Sequence, residues 1–340
     1  MPTEITVSHK RVEQHRIGRS DLKTSGLGLG CVTFGREIDE ETSYRVLDHA
    51  FSNGITFFDT GESYGGGNSQ ALRKRTYGVE DTREITTEMY SSEKILGRWI
   101  NKTGVHDQLV ICTKVSSGAS AENIRHQVQC SLDRMGIDRI DVYKIHSPDT
   151  QVPIGESLDA LSEQIHAGRI SVIGSSNFSA LQMQEALDES KTKGYARFDI
   201  IQPPYSLADR SAEEQLLPLC AREQIAVTSY SPLAAGFLAG KYRRTEERHK
   251  FPKGSRFDIS PAHADIYFND HNFRVIEHLR RKSTELGMPM VRLAMAWAMS
   301  HPHITAVLVG ARKLDHIDNA VAAKEWVMDI DLRNEMSAWH

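Results

Sequence analysis

Residues 109–146 read LVICTKVSSGASAENIRHQVQCSLDRMGIDRIDVYKIH. The stretch starts with a short apolar strand, Leu109–Lys114, and ends with a second one, Ile140–Ile145. Between the two strands, Ala121–Met135 carries apolar residues at helical spacing. Short continuous apolar strands are typical of parallel strands that are buried on both faces. The stretch therefore predicts a strand–helix–strand unit.

The same unit recurs in both directions along the 340 residues of the chain. The other strands are predicted at Leu27–Gly30, Ile55–Asp59, Val172–Ser175, Asp199–Gln202, Ala226–Ser229 and Ala306–Val309. The other helices are predicted at Glu41–Ser52, Ser92–Lys102, Gly155–His166, Ala180–Lys193, Ala212–Arg222 and Met290–Ser300. Eight strands that alternate with helices predict an α/β fold, a (β/α)8 TIM barrel, as one domain over residues 1–340 with an N-terminal β-hairpin.

A doubly wound sheet is the alternative fold. It would usually carry a GxGxxG turn after its first strand, and GLGLGC at residues 26–31 does not match that pattern. Two long βα loops interrupt the barrel rhythm, at about residues 65–91 and about residues 232–270. The first is a polar insertion, either solvated or folded over the active site, because βα loops lie on the catalytic face of a barrel. The second is long enough to be functional.

The charge balance excludes some classes of partner. The chain has 41 Lys and Arg residues against 45 Asp and Glu residues, a net charge of −4, so we expect neither a nucleic acid nor a membrane surface as partner. The four cysteines form no CxxC pair, and the first residues lack the apolar core of a signal peptide. A cytoplasmic protein with reduced thiols is therefore expected. No apolar run approaches the ~18 residues of a membrane span.

Four polar residues lie at or just beyond the carboxyl ends of neighbouring predicted strands: Asp59, Tyr64, Lys114 and His146. A barrel places these strand ends at one mouth, where barrel enzymes keep their active site. Each residue alone has an ordinary explanation, since a lysine at a strand end is usually solvated and a lone histidine is usually structural. Together the four residues predict a catalytic site.

The four residue types suit the reduction of a carbonyl group, which needs a hydride at carbon and a proton at oxygen. Tyr64 is the predicted acid, although the pKa of a free tyrosine is ~10. A nearby ammonium such as that of Lys114 favours the phenolate and lowers this pKa. Asp59 would hold Lys114 charged and in place, and His146 would donate a hydrogen bond to the carbonyl oxygen.

The sequence resembles the aldo-keto reductase superfamily from about Gly18 to Ala323. The motifs that carry the resemblance are, in family order, GLGLGCVTFG, FFDTGESYGGG, ICTKV, HSPD, IGSSNF, IQPPYS and SYSPLAAGFLAGKY. The resemblance implies that the four residues are the catalytic tetrad of an oxidoreductase, which reduces an aldehyde or ketone with NAD(P)H or runs the reverse oxidation. The motifs are closest in style to the branch of the potassium-channel β-subunits and their bacterial relatives. A cofactor-binding regulatory or interaction subunit is therefore the alternative function.

The resemblance also implies a set of cofactor-binding residues. Those expected around the nicotinamide are Ser176, Asn177, Gln202 and Tyr230, and those expected at the loop that straps down the pyrophosphate are Ser231, Leu233, Lys241 and Arg256. Gly30 at the end of a strand is expected to contact the cofactor as well. The ordinary alternatives are that Asn177 caps a helix, Gln202 pairs with the backbone and Tyr230 is a core residue.

The expected adenosine end departs from the family pattern. VGARKLDHIDNA at residues 309–320 keeps the turn with Gly310 and Arg312, but His316, Asn319 and Ala320 stand where the family has Gln, Glu and Asn. We expect Gly310, Arg312 and His316 to contact the cofactor. Arg312 could pair with an adenosine 2′-phosphate, because a guanidinium group suits phosphate geometry. NADP(H) is therefore favoured over NAD(H).

A small-molecule carbonyl or alcohol substrate is the expected partner, and the sequence is compatible with a homo-oligomer. The insertion at residues 65–91 is predicted to form one wall of the substrate pocket and to favour a polar, sugar-like carbonyl compound, with a surface flap or an oligomer contact as the alternative. No metal site is expected, because His301-Pro302-His303 has no carboxylate or thiolate ligand nearby and is typical of a turn. Cys112 is expected to be buried on the same side of its strand as Lys114.

Overall fold

The first described part of the chain forms a β-hairpin. The computed structural model describes residues 13–77, 85–244, 251–259 and 262–339. The hairpin strands, β1 (Gln14–Arg16) and β2 (Lys23–Ser25), pair in antiparallel fashion and confirm the predicted hairpin. Ile17 in its turn is fully buried in one apolar cluster with Phe57 and Val110, which begin two of the barrel strands. The hairpin therefore covers the amino-terminal end of the barrel.

Eight parallel strands follow the hairpin and close into a barrel. They are β3 (Leu27–Gly30), β4 (Phe57–Asp59), β5 (Val110–Val115), β6 (Ile140–Ile145), β7 (Ile170–Ser176), β8 (Ile200–Gln202), β9 (Ala226–Ser229) and β10 (Ala306–Gly310). Strands that are neighbours in the chain are neighbours in the barrel, and β10 closes the ring by pairing with both β3 and β9. The closed ring confirms the (β/α)8 barrel and excludes the doubly wound sheet.

Helices alternate with these strands and lie outside them. They are α1 (Glu40–Ser52), α2 (Gly66–Tyr77), α3 (Ser91–Thr103), α4 (Ala121–Met135), α5 (Ile154–His166), α6 (Ala180–Lys193), α7 (Leu216–Glu223), α8 (Arg256–Ile259), α9 (Ala262–Tyr267), α10 (Asp270–Leu286), α11 (Met290–Met299), α12 (Leu314–Glu325) and α13 (Ile330–Ser337). The side chains of Asp39, Ser120 and Ser179 cap α1, α4 and α6 by accepting hydrogen bonds from backbone N–H groups three residues on. In the described parts of the chain, no helix is long and apolar enough to span a bilayer.

Several helices lie outside the predicted pattern. The polar insertion contains α2, and the long loop at about residues 232–270 contains the short helices α8 and α9. The pattern also does not predict α10, α12 or α13. α2 has no apolar stripe, the feature by which a surface helix is recognised in a sequence. The predicted helix at Ala212–Arg222 begins later, at Leu216, because a 3-10 turn occupies Ser211–Glu213.

The barrel interior changes from apolar to polar along the strands. Near their amino-terminal ends it is filled by apolar side chains such as Phe57 and Val110. Toward the carboxyl ends the same strands present Asp59, Lys114 and Lys144, and the register places the two lysines side by side. Because side chains alternate along a strand, these polar groups point into the same interior as the apolar layer below them. The fold thus gathers a polar cluster under one mouth of the barrel.

Candidate active site

A buried ion pair lies at the base of this cluster. The Lys114 Nζ atom donates to Asp59 Oδ2 over 2.7 Å and to the Thr60 carbonyl oxygen over 2.6 Å, and both charged side chains are sealed from solvent. Burial lowers the pKa of Lys114, but the Asp59 charge, its hydrogen bond and the neighbouring Tyr64 and Cys112 together raise it by more, so the pKa lies above its ordinary value. Burial raises the pKa of Asp59, and the charges of Lys114 and Lys144 bring it below its ordinary value. The pair is therefore ionised at neutral pH.

Tyr64 stacks over this ion pair. Its ring centroid lies 4.8 Å from Lys114 Nζ, and its ring meets that of His146 edge to face with centroids 5.7 Å apart. Burial raises the pKa of Tyr64, and the Lys114 charge lowers it by less, so the pKa lies above its ordinary value. Lys114 lowers this pKa, as the sequence predicts, but burial has the larger effect and the net shift is upward. Tyr64 is a protonated phenol at neutral pH.

His146 is a neutral imidazole held by serine hydroxyls. Its Nδ1 atom lies 2.6 Å from Ser116 Oγ and 3.5 Å from Ser63 Oγ. Burial lowers the pKa of His146 to about 4, and the Lys114 charge acts in the same direction. When a serine hydroxyl donates to Nδ1, the ring proton resides on Nε2, which can then donate to an oxygen in the mouth.

A second lysine, Lys144, lies fully buried next to the ion pair. Its Nζ atom donates to Gln202 Oε1 over 2.8 Å and to Thr228 Oγ1 over 3.0 Å, and it lies 3.8 Å from Asp59 Oδ1. The Gln202 Nε2 atom in turn donates to Asp59 Oδ2 over 3.2 Å. The two lysines, the carboxylate and the amide therefore form one connected polar network across the barrel interior.

The loop after β5 is fixed by a buried carboxylate. Glu62 Oε2 accepts hydrogen bonds from the backbone N–H of Ser116 over 2.7 Å and of Ser117 over 3.2 Å. Glu62 is 5% exposed, so these bonds are shielded from competing water. The carboxylate thereby fixes the position from which the Ser116 hydroxyl reaches His146.

The residues expected around a nicotinamide come together beside His146. Asn177 Nδ2 donates to the His146 carbonyl oxygen over 2.9 Å, and the Tyr230 hydroxyl donates to Asn177 Oδ1 over 2.8 Å. Ser176 Oγ donates to the Gln202 carbonyl oxygen over 2.8 Å. Asn177 adopts a left-handed backbone conformation, with a φ of 61°, which turns its side chain to the rim of the mouth. These residues form a connected polar platform beside His146, with amide and hydroxyl groups of the kind that bind a carboxamide.

The residues expected at the pyrophosphate form a cationic cradle. Backbone φ angles are positive at Ser231, Ala234, Ala235 and Gly236, and Leu233 lies between them. Successive residues of this kind turn their N–H groups toward a common side, which is a recurrent way to bind phosphate oxygens. Strain of this kind in non-glycine residues concentrates at functional sites.

Four cationic side chains surround the cradle: Arg36, Lys241, Arg256 and Arg312. One carboxylate, that of Glu37, lies between Arg36 and Arg256. Arg256 Nη1 lies 2.9 Å and Arg36 Nη2 lies 2.8 Å from the same Glu37 oxygen. Burial and the Arg36 charge lower the pKa of Arg256 to about 10. Burial and the Arg312 charge lower the pKa of Lys241. The positive charges repel one another, so an anion such as a pyrophosphate would relieve them, and the residues present fit a dinucleotide.

The expected adenosine end lies next to this cradle. Arg312 Nη1 donates to the Gly254 carbonyl oxygen over 3.0 Å, and the Arg312 backbone N–H donates to His316 Nδ1 over 3.3 Å. Gly310 pairs in register with Gly30, and no atom lies within 4 Å of where a Gly310 side chain would begin. Both glycines therefore leave room at the rim.

Comparison with known proteins identifies the family of this chain. The sequence model of the family described as "Aldo/keto reductase family" matches residues 26–338. The chain belongs to the aldo/keto reductase family. This confirms the resemblance drawn from the motifs, and it makes the chain an oxidoreductase of the kind that uses a nicotinamide cofactor and a small-molecule substrate.

Curated relatives of this aldo/keto reductase match over nearly their whole length. The uncharacterized oxidoreductase YrpG of Bacillus subtilis is 29% identical over 335 residues, which cover 94% of this chain and 94% of the relative. The probable voltage-gated potassium channel subunit beta of Arabidopsis thaliana is 29% identical over 325 residues, with 92% and 91% covered. The NADH-specific methylglyoxal reductase of Escherichia coli is 30% identical over 320 residues, with 90% and 92% covered.

The insertion at residues 65–91 of this aldo/keto reductase is anchored to the loop after β3. α2 begins two residues after Tyr64. Near the end of the insertion, the Ile85 N–H donates to the Arg36 carbonyl oxygen over 3.2 Å. The Thr86 N–H donates to the Gly35 carbonyl oxygen over 3.1 Å. The insertion therefore packs on the loop that also carries Glu37. Residues 78–84, with Glu80, Asp81 and Arg83, lie outside the described residues.

Part of this aldo/keto reductase site lies outside the recognised motifs or has no role predicted from them. Lys144, Ser116, Glu62 and Glu37 all contact expected site residues, but none is assigned from the sequence. One signal was available for Lys144, because it lies two residues before His146 in a strand and therefore faces the same way. The other three act through contacts that the motif pattern does not reveal. Cys112 is buried beside Asp59 as expected, and burial raises the pKa of its thiol to about 12.

Proposed function

We propose that this aldo/keto reductase reduces an aldehyde or ketone to an alcohol with NADP(H), or runs the reverse oxidation. The observation that carries the proposal is the stack of Tyr64 on the buried Lys114–Asp59 pair, with the His146 ring edge to face with the Tyr64 ring. A phenol over a fixed ammonium is an acid that can release its proton at one defined place.

The four residues divide the proton chemistry between them. Tyr64 donates its hydroxyl proton to the carbonyl oxygen as negative charge develops there, and the Lys114 charge stabilises the phenolate left behind. Asp59 keeps Lys114 protonated and in place. The neutral His146 ring donates from Nε2 to the same oxygen and orients the carbonyl group. When bound, the nicotinamide would supply the hydride to the carbonyl carbon.

Cofactor binding is assigned to the two groups of residues around the mouth. Ser176, Asn177, Gln202 and Tyr230 would hold the nicotinamide, and Ser231, Leu233, Lys241, Arg256, Gly30, Gly310, Arg312 and His316 would hold the rest of the dinucleotide. The cationic cradle supports a phosphate-rich ligand, and Arg312 beside it supports a 2′-phosphate. One relative is named an NADH-specific reductase, so the choice between the two dinucleotides has to be measured on this chain.

The substrate class we propose is a polar, sugar-like carbonyl compound. The hydroxyls of Ser63 and Ser116 lie 3.1 Å apart beside His146, at the rim of the mouth. Hydroxyl groups at this place can exchange hydrogen bonds with the hydroxyls of a substrate. We also propose that the insertion at residues 65–91 forms one wall of the pocket, since α2 leaves the barrel next to Tyr64.

A cofactor-binding regulatory subunit is the second candidate function. Two relatives are named probable potassium channel β-subunits, which favours it. The test is to purify the protein and to follow the oxidation of NADPH and of NADH with simple aldehydes and with sugars. We expect turnover with NADPH. Tight binding of the dinucleotide without any turnover would overturn the reductase and favour the regulatory subunit. We place the protein in the cytoplasm, where its free thiols would remain reduced.

A further inference from the structure

Lys144 is a fully buried cation that the proton chemistry above does not use. It projects from β6 into the barrel interior, where Gln202 Oε1 and Thr228 Oγ1 accept its two hydrogen bonds. A lysine is almost never fully buried unless it is paired. The transfer of an ammonium into a protein interior is costly, so a lysine held there needs a compensating partner.

The partner of Lys144 is the carboxylate that also serves Lys114. Asp59 Oδ2 accepts from both Lys114 and Gln202, whereas Oδ1 lies 3.8 Å from Lys144 Nζ and accepts no hydrogen bond from any described residue. The other titratable group that faces Lys144 is Cys112, which is a neutral thiol. One negative charge is thus shared between two ammonium groups. Burial lowers the pKa of Lys144, and its interactions with Cys112 and Asp59 oppose that shift. While both lysines are protonated, the three-residue cluster carries a net positive charge.

This shared charge changes what Tyr64 senses. If Asp59 paired with Lys114 alone, the neutral pair would exert little net field on the phenol. With Lys144 drawing on the same carboxylate, the positive charge of Lys114 is less fully cancelled. A net positive cluster under the ring favours the loss of the Tyr64 proton when a carbonyl oxygen is ready to receive it.

Lys144 also sets the orientation of the Gln202 amide. Because Lys144 can only donate, Oε1 of Gln202 must face it, and Nε2 then faces Asp59. Gln202 pairs in register with Ser176, and both belong to the expected nicotinamide platform. The lysine therefore connects the acid side of the mouth with its cofactor side.

We propose that Lys144 is a positioning residue for carbonyl reduction, which fixes the Gln202 amide next to the expected nicotinamide platform and keeps the cluster beneath Tyr64 net positive. This inference rests on the proposed reductase function. It assigns two separable effects to one side chain: a hydrogen bond that acts on cofactor affinity, and a charge that acts on the proton donor.

Two substitutions separate the two effects. Lys144→Met keeps an unbranched apolar side chain that is one atom shorter, and it removes both the donor and the charge. Lys144→Gln keeps an N–H donor, one atom closer to the backbone, and removes the charge. The matched control is Tyr143→Phe, which removes a buried hydroxyl from the adjacent residue of β6 on the opposite face of the strand. Thermal unfolding of each variant reports whether the barrel is intact.

We expect Lys144→Met to raise the Kd for NADPH about tenfold in a fluorescence titration without substrate, in line with the loss of one charged hydrogen bond. In Lys144→Met and Lys144→Gln alike, the alkaline limb of the kcat–pH profile should move to higher pH by about half a unit or more, because Asp59 then cancels the positive charge of Lys114 more fully. Lys144→Gln should recover most of the cofactor affinity. Tyr143→Phe should change neither quantity.

The outcomes that overturn the inference differ from those that overturn the reductase. Folded Lys144→Met and Lys144→Gln proteins with the wild-type Kd and the wild-type pH limb would show that Lys144 only fills the interior. A wild-type protein without turnover would overturn the proposed function instead. If neither variant folds, the 13Cε signal of Lys144 in the wild-type protein provides the test: it should shift when NADP+ binds, and an unchanged signal would overturn the link to Gln202.

Discussion

At the scale of single residues, Tyr64 shows two opposing effects on one proton. Burial raises its pKa, and Lys114 lowers it by less. The proton therefore stays on the phenol until the carbonyl oxygen of a substrate accepts it, and the Lys114 ammonium then stabilises the phenolate. A strongly lowered pKa would instead leave the residue deprotonated and unable to act as an acid. The two opposing effects on the pKa suit a proton donor that must carry its proton at the start of each turnover.

The first prediction concerns the Tyr64 hydroxyl. Tyr64→Phe keeps the ring over Lys114 and removes the proton donor, so kcat for aldehyde reduction should fall by ~10²–10⁴. The Kd for NADPH, measured by fluorescence titration, should stay near the wild-type value because the ring itself remains. Tyr44→Phe, which removes a hydroxyl bonded to Glu40 on α1, is the control and should leave kcat unchanged. More than half of the wild-type kcat in Tyr64→Phe would refute its role as acid.

The second prediction concerns His146 and the stability of the fold. Its pKa is about 4 in the folded protein against 6.5 ordinarily, so between these pH values the unfolded chain binds a proton that the folded chain does not. The free energy of unfolding should therefore fall as the pH drops through this window, and this contribution should be flat above it.

His146→Gln removes that titration. Chemical denaturation at about pH 7 and about pH 5 should show a smaller loss of stability for this variant than for the wild-type protein. His271→Gln, at an exposed position on α10, is the matched control and should lose as much stability as the wild-type protein. Equal pH dependence in all three proteins would show that His146 is not held neutral by the fold.

At the scale of elements, the sequence predicts strands better than it predicts the helices of the long loops. β6 and β9 begin and end at the predicted residues, and every residue of both strands is buried. α2 could not be found in this way, since its few apolar residues form no stripe along one side of the helix. α10 carries its stripe of Val275, Ile276 and Leu279 among many charged residues. The pattern analysis leaves it unassigned.

The turn between β10 and α12 carries the third prediction. Arg312 contacts the strap loop at Gly254, and its guanidinium is the proposed reader of a 2′-phosphate. Arg312→Ala should weaken NADP(H) binding about tenfold or more, through the loss of a charged hydrogen bond, and should leave NAD(H) binding nearly unchanged.

Fluorescence titration of both dinucleotides measures this difference. Lys313→Ala removes the neighbouring exposed charge and serves as the control, with an unchanged ratio of the two Kd values. Equal weakening of NADP(H) and NAD(H) in Arg312→Ala would contradict a role in choosing the dinucleotide. It would indicate instead that Arg312 holds the long loop at residues 232–270 in place through Gly254.

At the scale of the whole molecule, barrel closure explains which site residues the sequence could predict. Asp59, Lys114 and His146 are predictable because each lies at its own strand end, and the fold brings strand ends together. The contacts of Lys144 are different, since Gln202 is 58 residues away and Thr228 is 84 residues away. β8 and β9 must each turn the right side chain inward at the same level of the barrel as Lys144 before these atoms can meet. No local sequence motif encodes that level.

The insertion at residues 65–91 is also a feature of the whole molecule, because it joins the mouth to the loop that carries Glu37. Its ends are fixed by hydrogen bonds: Asn68 Oδ1 accepts from the Tyr90 N–H, and Thr86 is held at Gly35. A variant that replaces residues 70–84 with a short Gly/Ser linker would therefore keep both anchors. It would remove most of the polar surface that α2 brings near Tyr64.

If the insertion walls the substrate pocket, this replacement should raise KM for sugars at least several-fold relative to small aldehydes, because the larger substrate loses its lateral contacts. The Kd for NADPH and the unfolding temperature should stay near the wild-type values. A second variant, Lys74→Ala with Arg75→Ala, keeps α2 and removes two positive charges from it. It shows whether the effect on KM comes from these charges or from the presence of the helix as a wall of the pocket. Unchanged relative KM values in the replacement variant, with only the oligomeric state altered in gel filtration, would show that the insertion is a contact between subunits and not part of the pocket.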